Sequence, residues 1–347
     1  MLTELKIKAN IEYDFCQRII CKNLSSQDMR QNRYVLGTIL TLAVMLSITP
    51  SVSAQNIPDL LDAGTTPDSF AYGFKRLFEA LDLAFTFNEN DKVVKHIKFA
   101  ELRLSEAISV VLKGMPEFVD GLTRDYDKQI SDANKIAGLA ENANDRETLS
   151  ELVAVTSSKH LEVLDKIKDM VPEQAKEKIS SLKEIAIKGS TEALKNLAHE
   201  NPQRSAVLVT DMAESRANAA KQASQKGNPE DAREAAEEYK KISQVGEEIV
   251  SIAKQIGKDH SMVQELIENA KSIHVTILQQ AMDNVPENAK SVIQDAIDKS
   301  QSAKENEVKG TEQSDDAKST ADDEKPDVEQ NTEKGSEQKD KAAEQRP

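Results

Sequence analysis

The sequence predicts an all-α protein made of tandem antiparallel helical bundles of about nine helices, followed by a disordered acidic C-terminal tail. Charged residues make up 30% of the chain and aromatic residues only 4%, and there is no tryptophan. This composition is typical of long helices with alanine and leucine seams, whereas sheets need more β-branched and aromatic residues. Apolar residues at spacings of three and four, together with an internal duplication, point to the same class.

The amino-terminal region has the pattern of an export signal. No charged residue occurs from Tyr34 to Ala54, and the apolar run 35–50 has the length of a signal-peptide core but is short for a membrane span. Arg30 and Arg33 supply the basic flank that precedes such a core. The alternative is an uncleaved anchor, which would be the protein's link to a membrane.

Small residues at Val52-Ser-Ala54 predict cleavage after Ala54, so we expect a signal peptide over residues 29–54. A start at Met29 gives an ordinary signal peptide, which makes residues 1–28 a doubtful leader extension. The two cysteines, Cys16 and Cys21, precede the cleavage site, so the mature chain would contain no thiol. The predicted location is extracellular or on the cell surface.

The charge of the chain argues against nucleic acid as a partner. The formal net charge is -15, and residues 1–54 carry six basic and four acidic side chains, which leaves -17 for residues 55–347. Polyphosphate backbones repel such a surface.

Two parts of the chain repeat each other. Residues 158–176 return as residues 272–290 with the Val-Pro-Glu triplet in both, and Ala100-Glu-Leu-Arg103 is answered by Ala213-Glu-Ser-Arg216. The offsets are reconciled by one insertion or deletion. We predict a first helical copy over residues 68–187 and a second over residues 188–300.

Asparagine, aspartate and proline divide both copies into helices. The candidate N-caps are Asp68, Asn88, Asn144 and Asp259, and the candidate first-turn prolines are Pro116, Pro172, Pro202, Pro229 and Pro286. The predicted helices cover residues 68–87, 90–113, 116–142, 145–170, 172–199, 202–226, 229–256, 260–284 and 286–305. A linker over residues 55–67 precedes them.

The C-terminal stretch 301–347 contains 14 acidic and eight basic residues and no Ile, Leu, Met, Phe or Tyr. It cannot bury enough apolar surface to offset its ordering entropy, so we predict a disordered tail.

The copies differ in their large side chains. Every phenylalanine after the predicted cleavage site lies in the first copy, at positions 70, 74, 78, 85, 87, 99 and 118. Because burial of apolar area stabilises a fold by about 25 cal/mol per Å², we expect the second copy to be the less stable one.

His160 and His274 are the candidate site residues, because the duplication places a histidine at the same seam position in each copy. They could be metal ligands or a pH-sensitive switch. The more ordinary interpretation is a half-buried histidine that is hydrogen-bonded to Tyr126 or Tyr239, or to Glu101 or Glu214. We favour this interpretation and predict no metal and no cofactor, because zinc sites need three or four ligands.

Ala100-Glu-Leu-Arg103 and its repeat allow two interpretations of equal weight. The charged residues could form an ion pair between helices, or they could be solvated. No phosphate-binding loop, nucleophile elbow or His-Glu-x-x-His run occurs, so we predict that the protein is not an enzyme.

The segment from Pro67 to Glu79 and the helix after it resemble an uncharacterised domain family of exported archaeal and actinobacterial proteins, here in two tandem copies. The matching residues are Tyr72, Lys75, Glu79, Ala100, Glu101, Arg103, Leu104, Glu106 and Ala107. In the second copy Leu104 and Glu106 become Ala217 and Ala219, so the likeness is weaker there. The resemblance implies an extracytoplasmic helical domain and no reaction.

We therefore expect a secreted or cell-surface helical protein that acts as a non-catalytic interaction or structural module. Its partner would be a protein of the cell envelope or a second copy of itself. The alternative is an extracytoplasmic metal-sensing or chaperone-like helical module that works through the two histidine-bearing seams.

Overall fold

The computed structural model describes residues 60–315, with side chains as far as Gln301. Every regular element in this part is helical, which confirms the predicted all-α class. The α-helices are α1 (Tyr72–Ala84), α2 (Glu89–Leu112), α3 (Val119–Leu139), α4 (Ala143–Lys168), α5 (Glu173–Glu200), α6 (Pro202–Gln225), α7 (Pro229–Gln255), α8 (His260–Met282) and α9 (Glu287–Asp315). A short 3-10 turn at Pro116–Phe118 leads into α3.

Two of the four predicted N-caps are confirmed. Asn88 and Asp259 accept hydrogen bonds from backbone N–H groups in the first turns of α2 and α8. Asn144 was the wrong cap for α4, because it lies inside the helix and Asn142, in extended backbone, accepts the bond instead. Asp68 was also wrong, since α1 begins only at Tyr72 and Asp68 accepts a hydrogen bond from the Thr66 hydroxyl.

Helices α2 to α5 and helices α6 to α9 follow the same plan. Helices α2 and α6 both end in a glycine with positive φ, Gly114 at 75° and Gly227 at 72°. In each case the glycine N–H and the next N–H donate to carbonyls of the last helical turn. Both helices thus stop in the same way before a proline starts the next element.

Helix α5 belongs to both halves of the fold. It packs against α3 and α4 on one side and against α6 and α7 on the other. The buried apolar residues form one continuous core that extends from Val93 in α2 to Ile297 in α9. The two copies therefore share a core.

In α4 and α8, the apolar residues at spacings of three and four, which predicted helices, face this core. Along α4 the residues Leu149, Val153, Val163 and Ile167 are buried, and along α8 so are Val263, Ile267 and Ala281. Spacings of three and four place such residues on one helix face.

Helix α9 ends at Asp315, beyond the predicted helix end at residue 305. The disordered tail from residue 301 stays a prediction. Residues 316–347 lie outside the described residues. So do the leader extension 1–28, the signal peptide 29–54 and residues 55–59 of the linker. No helix in the described part is both long and apolar enough to cross a membrane.

Candidate functional site

Helix α1 has its polar side towards the bundle and its apolar side towards solvent. Among the described residues of α1, none is fully buried, although its charged side chains Lys75, Arg76 and Glu79 are half-covered. A surface helix normally turns its apolar stripe to the core. The reason for the reversed orientation of α1 is a set of buried charges on α2.

Arg103 and Glu106 of α2 are completely buried beneath α1. The Arg103 guanidinium donates to both carboxylate oxygens of Glu79 at 2.7 and 2.9 Å, and it lies 3.1 Å from Glu106. Both bonds to Glu79 come from Nη2, while Nη1 donates to the Tyr72 hydroxyl, so the guanidinium contacts α1 at two residues. A buried charge is tolerated only when it is paired and hydrogen-bonded, so these contacts hold α1 in place.

Tyr72 and Lys75 complete this first network, which consists of Tyr72, Lys75, Glu79, Arg103 and Glu106. The Tyr72 hydroxyl donates to Glu106 at 2.8 Å and accepts from Arg103 at 2.7 Å. Lys75 contacts Glu106 at 2.5 Å and donates to the carbonyl oxygens of Ala63 and Thr65. Burial raises the pKa of Tyr72, which keeps the phenol protonated.

The first network answers the question that the sequence left open for Ala100-Glu-Leu-Arg103. Arg103 is in a buried ion pair between helices, and the solvated interpretation is wrong for it. Glu101 accepts a hydrogen bond from the backbone N–H of Leu61 at 2.7 Å, and burial raises the pKa of its carboxyl group. The five residues of the first network are all among those that carry the family resemblance.

A second network surrounds Arg216, the repeat of Arg103. The Arg216 guanidinium contacts Asp165 of α4 at 2.5 Å and Glu238 of α7 at 3.3 Å. Lys183 of α5 contacts Asp165, Glu234 and Glu238 at 2.8 to 2.9 Å. These carboxylates raise the pKa of the buried Lys183. Glu234 lies 2.5 Å from Lys168 of α4 and 2.8 Å from Lys183, and the two lysines lower its pKa to about 2.

Sequence reasoning missed the second network. Its members come from four helices, and each alone is an ordinary charged helical residue. One signal was present: Lys183 lies beside the buried Leu182 on the apolar side of α5, where a lysine needs a buried partner.

The outward side of α1 carries a continuous apolar surface, which we call the α1 apolar face. It consists of Phe70, Phe74, Leu77, Phe78, Leu81 and Phe85. The four phenylalanines are 61–79% exposed and the two leucines 53% and 43%. Phe87 adjoins the face and is 84% exposed. Single exposed apolar residues are common, but a contiguous patch of this kind marks an interaction surface.

The exposed phenylalanines overturn one argument from sequence. We expected the phenylalanines to give the first copy more buried apolar area, but of the seven only Phe99 is fully buried, Phe118 is partly buried, and five are exposed on or beside α1. The reason is that the first network occupies the surface against which α1 packs. The expected stability advantage of the first copy therefore loses this support.

His160 is buried on α4, in the setting that the ordinary interpretation described. Its Nδ1 lies 3.0 Å from the Tyr126 hydroxyl, and the two rings are tilted at 5.7 Å. His274 makes the corresponding edge contact with Tyr239 at 5.6 Å, but the Tyr239 hydroxyl lies 2.9 Å from that of Ser300. Glu101 and Glu214, the other suggested partners, are not hydrogen-bonded to either histidine.

Burial lowers the pKa of both histidines to about 4, with a further contribution from Lys271 at His274. Both rings are therefore neutral at physiological pH. Within the described residues, no group of three or more His, Cys, Asp or Glu side chains is arranged so that it could hold a metal ion. Each candidate histidine is packed against an aromatic ring in its own copy.

The described part thus defines an all-α protein with a tandem-repeat fold. Residues 64–174 match a family described as a domain of unknown function, DUF5667, and this match contains the first network and the α1 apolar face. No curated protein sequence matches the chain.

One similar solved structure is a "Circular tandem repeat protein with novel repeat topology and enhanced subunit contact surfaces". Its sequence identity to this chain is 13% and the TM-score is 0.45. The alignment covers 66% of this chain and 50% of that protein, so the chain spans about half the length of its match.

Proposed function

We propose that this chain is an exported, non-catalytic helical protein that binds another protein through the α1 apolar face. The observation that carries the proposal is the reversed orientation of α1. Its charged side chains are engaged with α2 and the bundle, while the six large apolar side chains of the α1 apolar face, four of them from α1 itself, are exposed to solvent. Exposure of so much apolar area is unfavourable in water unless a partner covers it.

The two networks support a structural role for the buried charges. Arg103 and Arg216 are each paired with carboxylates of neighbouring helices, so these charges hold helices together. The second copy repeats the helix order and the glycine ends of the first, which supports two tandem copies of one domain, the second without an α1 apolar face of its own.

Export is supported by the charge-free segment before Ala54 and by the cleavage pattern at its end. N-terminal sequencing of the protein recovered from outside the cells should begin at Gln55. Recovery of the chain from the cytoplasm with Cys16 still attached would refute export.

A photo-crosslinking amino acid at position 74 tests the proposed binding. In producing cells it should yield an adduct with a protein chain, because Phe74 is at the middle of the α1 apolar face. The matched control is the same amino acid at Leu139, which is as exposed but lies at the end of α3. Adducts with lipid alone, or equal adducts from both positions, would contradict the proposal.

A further inference from the structure

We infer that the partner of the α1 apolar face is a second copy of this chain, bound by antiparallel pairing of the two α1 helices. This inference rests on the proposed function and identifies its partner. The two-fold axis of the dimer would pass beside the midpoint between Leu77 and Phe78. Three properties of the described residues lead to this arrangement.

The first property is the symmetry of the α1 apolar face. Phe74 and Leu81 are equally far in sequence from the midpoint between Leu77 and Phe78, and so are Phe70 and Phe85. The large apolar residues therefore have the same spacing along the chain in both directions. An interface with two-fold symmetry uses one patch on both subunits, so that patch must be self-complementary.

The pairing that follows leaves no large side chain of the face without a neighbour. Phe74 of one chain faces Leu81 of the other, and Phe70 lies beside Phe85. Next to the axis, Leu77 of each chain lies opposite Phe78 of the other. Helices in this arrangement also oppose their dipoles, which favours the antiparallel direction over the parallel one.

The second property is the absence of unpaired charge from the face. Lys75, Arg76 and Glu79 of α1 are engaged with side chains of their own chain. The remaining charged residue of α1, Asp82, is paired with Lys95 at 2.5 Å. Pairing of two such faces therefore desolvates little charge, a condition for a stable apolar interface.

The third property is the size of the face. If each of the six side chains covers about 100 Å² on pairing, each chain contributes roughly 600 Å² and the dimer buries roughly 1,200 Å². That area reaches the lower end of the range for specific, stable interfaces. Phe87, beside the face, would increase the buried area. The first network holds α1 in one orientation, so little ordering entropy is lost on pairing.

The first test is the mass of the full chain in solution by sedimentation and light scattering. At tens of micromolar we expect a dimer, twice the mass of the chain. Phe74→Glu combined with Phe78→Glu should weaken the dimer by about a hundredfold or more, since central aromatic residues carry most of such interfaces. Leu139→Glu, on an equally exposed leucine outside α1, should leave the dimer intact. Circular dichroism of each variant should be unchanged, because all three side chains are exposed.

The second test is the direction of pairing, measured by disulfide formation in a chain with Cys16→Ser and Cys21→Ser. Antiparallel helices bring position 74 next to position 81 of the copy. A mixture of Phe74→Cys and size-tagged Leu81→Cys chains should therefore form the mixed disulfide in excess over both homodimeric ones. An excess of the homodimeric disulfides would indicate parallel helices and would overturn the inference.

The remaining outcomes separate this inference from the proposed function. A wild-type chain that stays monomeric, or a dimer that survives the two glutamates, overturns self-pairing through α1. Photo-crosslinking from position 74 to a different protein would in that case still support the proposed function.

Discussion

Arg103 and Arg216 occupy the same place in the two copies but find their carboxylates in different helices. Arg103 uses Glu79 of α1 and Glu106 of its own helix, whereas Arg216 uses Asp165 of α4 and Glu238 of α7. Both copies thus have a buried guanidinium at this position, and in each copy it pairs with the carboxylates that its neighbouring helices place close to it. Removal of one partner leaves the other charge buried and unpaired.

Replacement of Arg103 by methionine should therefore lower the free energy of unfolding by about 3–5 kcal/mol and release α1 from the bundle. Arg103→Lys should restore only part of this loss, because a single ammonium nitrogen cannot replace the two guanidinium nitrogens that contact Tyr72 and Glu79. Urea unfolding and amide hydrogen exchange in α1 are the measurements. The control is Lys128→Met, at an exposed pair with Asp132 that should contribute about 1 kcal/mol or less. Equal effects of the two methionine variants would contradict the role of the first network.

His160 makes the stability of the protein depend on pH. Its pKa is about 4 in the folded chain, below the usual 6.5, so the unfolded chain binds the proton more tightly. Stability should be complete above pH 6.5 and should fall as the pH is lowered towards 4, by on the order of 1–3 kcal/mol. His160→Gln should reduce the slope between pH 6.5 and 4.5 in urea unfolding without removing it, because His274 has the same lowered pKa of about 4, whereas His199→Gln, at an exposed histidine, should not reduce it. An unchanged slope in His160→Gln would show that the ring is not buried as a neutral group.

Among the elements, the ends of α2 and α6 depend most on a single residue type. Gly114 and Gly227 have φ values of 75° and 72°, a conformation that is strained for residues with a Cβ atom.

Gly114→Ala and Gly227→Ala should each lower the free energy of unfolding by about 1 kcal/mol or more, although an added Cβ would meet open space. Gly121→Ala is the matched control, because Gly121 also faces open space but has an ordinary φ inside α3. That variant should be neutral or slightly stabilised. Thermal unfolding monitored by circular dichroism measures all three. A loss in Gly121→Ala as large as in the other two would refute the role of φ.

The limits of the helices could be predicted closely, because proline, asparagine and glycine begin or end helices through local interactions that can be recognised in the sequence. The orientation of α1 could not. A stripe such as Phe74 and Phe78 is normally taken for the side that faces the core, and only the buried charges of α2 reverse this. Those charges could be recognised as repeated residues, but their partners lie on other helices and are set by packing. The seam position predicted burial of His160 and His274, but the predicted hydrogen bond to tyrosine is present only at His160, because the Tyr239 hydroxyl is bonded to Ser300.

In the whole molecule, the shared helix α5 should make the two copies unfold together. Leu182 of α5 is fully buried in the continuous core. Leu182→Ala should lower the free energy of unfolding by about 2–5 kcal/mol and should shift a single calorimetric transition. Met170→Ala, at an exposed side chain, is the control with little expected effect. Two separate transitions in either protein would instead favour copies that unfold one after the other.

The second network depends on three residues of α4 and α5 that have no charged counterpart in α8 and α9. Asp165, Lys168 and Lys183 on α4 and α5 receive the charged residues of α6 and α7. The matching places on α8 and α9 hold Gln279, Met282 and Ile297, which cannot ion-pair with an arginine. If a further repeat were added after α9, its buried arginine would pack against these uncharged residues and would have no carboxylate to pair with. An engineer who wished to lengthen the array would first have to restore the acid and the two lysines at those three places.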